Sequence, residues 1–304
     1  MNIVSKRSEL IFLYDIKDAN PNGDPLDSNK PRMDEETSIN LVTDVRLKRT
    51  IRDYLLDYGK VEEIFVRDVE TKEGKLQDGK GRASNFGKTK EEIHKNVLDK
   101  CIDVRLFGAT IPLNKDSITL TGPVQFTMGR SLHRTSVEFI KGTGAFASGE
   151  DKTKRTFREE YMVPYSLIGF YGVVNENAAK RTNLTNEDVS LLLEGMWQGT
   201  KNLISRSKAG QMPRLLIKID YKETGYHIGD LLSTFKIILN CQDEYAIRST
   251  DDYIIDVTDF KSILEQNKDK IDNIGIKYDR IKFAEEQQEE TLESILSGFP
   301  TAKI

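Results

Sequence analysis

The sequence is short of the residues that build metal centres and covalent staples. Its 304 residues hold two cysteines, Cys101 and Cys241, and three scattered histidines, His94, His133 and His227. There is no Cys-x-x-Cys pair, so neither a metal site nor a disulfide framework is expected, and a reducing cytoplasm suits the chain. No apolar run approaches a membrane span, and the N-terminus lacks the apolar core of a signal peptide, so no membrane partner is expected. No internal repeat is visible. The net charge is only −4, which argues against a chain that is basic throughout, as simple nucleic-acid binders usually are.

What charge there is lies unevenly. Residues 242–304 carry 8 Lys and Arg against 15 Asp and Glu, a net of −7, which leaves +3 for residues 1–241. Two stretches are plainly basic: residues 129–158 hold 7 cations and 3 anions, and residues 201–214 hold 4 cations and no anion. Gripping a phosphate chain takes local rather than global positive charge. The length allows a large core, in one elaborated domain or two small ones.

Residues 8–56 organise the rest. Glu9-Leu10-Ile11-Phe12-Leu13-Tyr14-Asp15-Ile16 is a short, nearly continuous apolar run rich in aromatic and branched side chains, the mark of a central strand. Asn20-Pro21-Asn22-Gly23-Asp24-Pro25 follows, and nearly every residue in it favours a turn. A helix is expected over residues 41–58. At 100° per residue Leu47, Ile51, Tyr54, Leu55 and Tyr58 share an arc of about 100°, the core stripe, and Lys48, Arg49 and Arg52 share the next arc. That cationic arc reads either as a solvated face or as a ligand face.

Further along, residues 63–66 are a strand candidate, and residues 68–90 are polar, glycine-rich and read as a protruding loop. Residues 90–101 are expected as a short helix and 103–108 as a strand. Residues 117–128 form the next strand, with an edge or bulge at Gly122-Pro123. Residues 156–162 and 166–174 read as two arms of a hairpin around Val163-Pro164-Tyr165. Thr185-Asn186-Glu187-Asp188 resembles a capping box opening a second helix, whose apolar face takes in Trp197 and Ile204. A strand follows at 214–221. Strand, helix, strands, helix, strand is an α+β order that suits a ferredoxin-like sheet. Strands at 234–240, 253–257 and 274–278 and a helix at 258–267 come next. The acidic tail, 283–304, reads as partly helical or disordered.

Several motifs carry a resemblance: NPNGDP at 20–25, KPRMDEET at 30–37, LVTDVRLKRTIRDYL at 41–55, CIDVRLFGA at 101–109, TGPVQFTMGRSLHR at 121–134 and RSKAGQMPRLL at 206–216. In this order and spacing the chain resembles the crRNA-binding backbone subunit of Cascade, the type I CRISPR effector complex, and within that RAMP-superfamily group it is most like subtype I-B. The resemblance implies an RRM-like (ferredoxin-like) palm over residues 1–241, with an inserted finger near 68–102 and a thumb near 129–165. Residues 242–304 would complete the fold. It implies no cofactor, no catalytic residue, and a place near the RNA for 103–108. The implied partners are crRNA, target DNA in the assembled complex, copies of the chain head to tail, and other Cascade subunits.

A single RNA strand is held by cations on phosphates, by turns that offer backbone amides, and by side chains that stack on or wedge between bases. Lys48, Arg49 and Arg52 match the basic helix of the family. Asn20, Asn22 and Gly23 sit where backbone can approach RNA closely. Arg130, His133 and Arg134 match the basic part of the 121–134 motif, and Arg206, Lys208 and Gln211 match the 206–216 loop. Phe157 and Met162 are the candidate wedges in the thumb. Taken singly, each cation is equally at home in a surface salt bridge. The competing class is a metal-dependent endoribonuclease using Asp24, Asp27, Asp34, Glu35 and Glu36; a scaffold without RNA contact is the third.

Overall fold

The strand Ser8–Ala19 sorts the molecule into two cores by its period of two. Leu10, Phe12, Tyr14 and Ile16 face one core, and Ile11 and Leu13 face the other. The computed structural model describes residues 2–114, 116–147 and 155–304, less the side chains of 143–147 and 155–158.

Around this strand lies a mixed α/β structure whose main sheet has ten described strands. Along the main path the order is Thr301–Lys303, Ile271–Tyr278, Met212–Tyr221, Ser8–Ala19, Arg155–Val174, Gly129–Arg134, Ile39–Val42 and Met33–Asp34. Glu138–Ala147 and Val124–Phe126 also pair with Arg155–Val174. The pairings are antiparallel except the outermost, where Thr301–Lys303 runs parallel to Ile271–Tyr278.

Two helical segments cover the first face. Asp44–Asp57 starts at Thr43, whose side chain accepts from the Arg46 amide. Asn186–Glu194 starts with the capping box that Thr185 and Asp188 spell, and a π-helical turn, Gly195–Gly199, continues it. The two cross closely because Gly195 has no side chain: a Cβ there would stand 2.9 Å from Cγ2 of Ile51. Leu47, Ile51, Leu55, Leu192, Met196 and Trp197 fill this core. Ile204 does not join it and is 79% exposed, and Tyr58 is half-exposed at the end of the first stripe.

The C-terminal part covers the second face. The expected strands and helix form as Lys236–Leu239, Tyr253–Asp256, Ile271–Tyr278 and Thr258–Gln266. The tail is folded and partly helical, as one of its two readings had it, and is not disordered. Strands Phe283–Glu285 and Gln288–Glu290, the helix Leu292–Ile295 and the edge strand follow in turn. Phe283, Leu292, Ile295, Leu296 and Phe299 enter the second core, Ile304 packs against the first, and the acids stay outside.

Four other expectations change. Residues 63–66 form no strand; Ile64 and Phe65 instead give their carbonyls to the buried Arg82. The polar stretch 68–90 is no bare loop. It contains the helix Gly79–Ser84, and Ala83 and Phe86 join Phe65, Ile93, Val97 and Cys101 in a third, small core. Residues 103–108 are not a strand but most of the helix Ile102–Phe107. Residues 156–174 are not a hairpin but part of one strand, Arg155–Val174. Pro164 is tolerated inside it because it lies between Val163 and Tyr165, opposite Asp18. There the ladder skips one pair while keeping its register on both sides, and Asp18 has φ +49°.

Candidate RNA interface

At the end of Ser8–Ala19 the turn-rich loop folds back on itself. Asn22 Oδ1 accepts from the amide and hydroxyl of Thr43, at 2.9 and 3.0 Å, and so ties the loop to the start of the first helix. Gly23 pairs with Pro31 so closely that a Cβ would stand 2.1 Å from the Asn29 side chain. Asn20 is buried. Its amide nitrogen donates to Asn29 O at 2.7 Å, its backbone N–H to Ser207 O at 2.8 Å, and its own carbonyl accepts from Lys208 Nζ at 3.0 Å. The 20–25 motif and the 206–216 motif are thus one structural unit.

Cations gather here with few carboxylates among them. Burial pushes the Lys208 ammonium down to about 8, and the nearby Arg46 guanidinium adds to the effect. Arg46 is itself lowered, mainly by burial, and bonds Thr50 Oγ1 at 3.2 Å. Arg46 Nε, Arg32 Nε and Gln211 Nε2 are buried donors without a hydrogen-bond partner, and Asn20 Oδ1 is a buried acceptor without one. These four are the only such side-chain atoms among the described residues. Leaving one buried polar group unpaired costs about 1–3 kcal/mol, so these four atoms make this region the candidate site.

Beside it runs a groove of about 660 Å³, lined among others by Lys30, Arg32, Met128, Tyr161 and Tyr245. Lys30 sits 5.4 Å over the Tyr161 ring. Arg130 is exposed and pairs with Asp34 at 3.2 Å. Arg134 is exposed, and its backbone amide is held by Glu244. Arg206 is exposed in a loose 3.8 Å pair with Glu160.

Two sequence expectations on exposed cations are overturned. Arg52 is buried, paired with Asp103 at 2.9 Å and stacked over Phe107. The helix Ile102–Phe107 packs against that flank, which a helical wheel cannot show. His133 is buried and its protonation is disfavoured, chiefly by burial. Its Nδ1 faces Arg134 O at 2.9 Å and its Nε2 accepts from the Leu167 amide at 3.1 Å, so the ring joins strands. Arg49 is exposed in an i,i+4 pair with Asp53, whereas Lys48 is largely enclosed, bonded to Asp44 and Gln125 over the Phe107 ring.

The side chain of Phe157 lies outside the described residues, and Met162 is half-buried opposite Glu138. The exposed apolar residues nearby are Phe139 and Ile140, with the Phe139 ring 4.7 Å from Tyr161. Sequence reading missed these, as it missed Arg46 on the other flank of the helix stripe. The signal for Arg46 was present: it falls three residues after the capping Thr43, beside the turn motif.

The 103–108 stretch was expected near RNA, but its polar residues are spent on structure. Asp103 holds Arg52 and two amides, and Arg105 holds Asp188 through two bonds.

Residues 6–258 match the family model described as CRISPR-associated protein Cas7. A protein of Haloferax volcanii with the same description is 33% identical over 296 residues, covering 89% of this chain and 86% of its own. A solved chain of a CRISPR RNA-guided surveillance complex in a pre-nicking state shares the fold, with a TM-score of 0.57 and 12% identity. The match covers 98% of this chain and 96% of the other. A second surveillance-complex chain matches with a TM-score of 0.54 and 14% identity, over 97% and 94%. The chain belongs to the CRISPR-associated protein Cas7 family.

Proposed function

We propose that this chain is a non-catalytic crRNA-binding backbone subunit of a type I CRISPR surveillance complex of the cytoplasm, closest to subtype I-B. The observation that carries the reading is the underpaired polar cluster of Arg46, Lys208 and Gln211 beside the 20–25 turn. Buried donors and cations without carboxylates suit the phosphates of a threaded strand. Lys48, Arg49, Arg130, Arg134 and Arg206 extend the charge, and Phe139 and Ile140 stand beside Met162 as wedges between bases.

The sheet supports an RRM-like palm. Met212–Tyr221, Ser8–Ala19, Arg155–Val174 and Gly129–Arg134 lie in the order fourth, first, third, second of a ferredoxin-like unit. The small third core supports a finger, and the paired strands Glu138–Ala147 and Arg155–Val174 support a thumb. Copies would stack head to tail along the guide, a heterologous contact that other Cascade subunits must end. The guide, not the subunit, would read target DNA by base pairing.

The nuclease alternative is weakened by how the loop aspartates are used. Asp24 pairs with Arg32, Asp27 with Lys30 and Asp34 with Arg130. The experiment is a titration of unrelated single-stranded RNAs against the purified protein from low to high salt, with Mg²⁺ present. Tight binding that falls steeply with salt, ignores sequence and leaves the RNA intact is expected. Salt-independent binding, or cleavage lost in Asp24→Ala, would sink it.

A further inference from the structure

Phosphate explains three of the four orphaned atoms but not the last. Arg32 Nε, Arg46 Nε and Gln211 Nε2 are donors, and an anion satisfies donors. Asn20 Oδ1 is an acceptor, and a phosphate oxygen would repel it. Its identity is set by its surroundings: the amide nitrogen of Asn20 donates to Asn29 O at 2.7 Å, so a flipped amide would set oxygen against oxygen. The residue cannot swing freely either, because its backbone is held at both ends by Ser207 and Lys208. What this oxygen lacks is a neutral donor on the ligand.

Asn20 lines a pocket of about 240 Å³ together with Asn29, Tyr161, Arg206 and two acids, Glu159 and Glu160. That is below the roughly 300–1,000 Å³ of ordinary small-molecule sites, and it suits one sugar of a longer chain better than a free ligand. Arg206 pairs with Glu160 at 3.8 Å, so the lining offers acceptors for a sugar hydroxyl and leaves the phosphates to Lys208 and Arg46 outside it. The one donor that a ribose carries in mid-chain and a deoxyribose lacks is the 2′-hydroxyl.

We infer that the Asn20 pocket reads the ribose of the bound strand: a guide 2′-hydroxyl donates to Asn20 Oδ1, so the subunit distinguishes RNA from DNA at this position. The inference rests on the strand-binding reading above and adds a specificity-determining residue to it. Lys208 and Arg46 grip either kind of strand, and Asn20 chooses between them.

The test uses the full chain and one sequence made as RNA, DNA, 2′-fluoro RNA and 2′-O-methyl RNA. The two modified strands keep an RNA-like sugar shape but have no donor at the 2′ position. RNA should bind roughly 2- to 10-fold more tightly per copy than the other three, the span of one hydrogen bond's net worth. In Asn20→Ala the four should bind alike, and in Lys208→Ala all four should weaken by a similar factor. Equal affinity of the unaltered protein for RNA and 2′-fluoro RNA, with binding still salt-dependent, would overturn this inference alone and leave the oxygen to a water molecule. A sugar preference that survives undiminished in a folded Asn20→Ala would do the same. Should that variant fail to fold, the sugar series on the unaltered protein decides. Binding of none of the four would overturn the strand-binding reading as well.

Discussion

Arg52 Nε lies 2.9 Å from Asp103 Oδ2, and both side chains are shut away from water. Asp103 also accepts the amides of Phe65 and Val66, at 2.8 and 3.0 Å. One carboxylate therefore fastens the first helix to the segment leading into the third core. Three residues earlier on the same helix, Arg49 pairs with Asp53 at the surface, with 43% of its side chain exposed.

The two arginines should behave oppositely. Arg52→Ala leaves a buried carboxylate uncompensated and should cost about 3–5 kcal/mol in chemical denaturation. Arg49→Ala should stay within about 1 kcal/mol and weaken RNA binding for any guide sequence. Equal melting of both variants would refute the buried pair as a structural bond.

Lys208 should make pH act on stability and on binding with opposite signs. Its folded value, about 8, lies below the ordinary lysine value of 10.5. Between these the unfolded chain holds the proton and the folded one does not, so stability should rise with pH from about 8 to about 10.5. Binding an anion needs the charged form, so RNA affinity should fall as pH passes about 8. Both trends should flatten in Lys208→Met; an affinity profile that keeps its slope in that variant excludes Lys208 as the cause.

His133 should set an acid limit. Burial lowers its folded value below the ordinary histidine value of 6.5, and protonation of Nε2 would forfeit the bond from the Leu167 amide. Its contribution is complete above about pH 6.5 and is lost as pH falls below that. The measurement compares urea midpoints from pH 7 to pH 5 for the parent and His133→Gln. If the variant loses as much stability over that interval as the parent, His133 is not the sensor.

The tail should prove part of the fold. Leu296 is fully buried, so Leu296→Ala should cost about 2–5 kcal/mol, as should Ile51→Ala in the first core. Thermal unfolding decides between this and a disordered tail, for which Leu296→Ala would leave the melting temperature unchanged.

Much of the fold was legible because local chemistry and tertiary structure agree there. The run from Glu9 to Ile16 is too short and too branched for a helix, and it became the central strand. Thr185 and Asp188 spell a capping box and form one. Where local signals are weak the reading failed. The run 103–108 has no decisive period, and its packing against Arg52 and Asp188 made it helical. The tail is sparse in apolar residues, and only the second core gives Phe283 and Leu296 somewhere to go.

The candidate site divides the same way. Its ingredients are in the sequence by themselves: the Asn20–Pro25 turn, the basic stretches and the cationic helix, because composition and turn propensity are properties of the chain. Which cations stay available depends on which carboxylates fold beside them. Asp103 takes Arg52 inside, whereas among the described residues no carboxylate bonds Lys208, and Arg46 bonds the Thr50 hydroxyl. Residues 20 and 208 meet because the strands Ser8–Ala19 and Met212–Tyr221 pair antiparallel and bring their loops to one end of the sheet. That proximity, and with it the unpaired oxygen of Asn20, is a fact of tertiary packing alone.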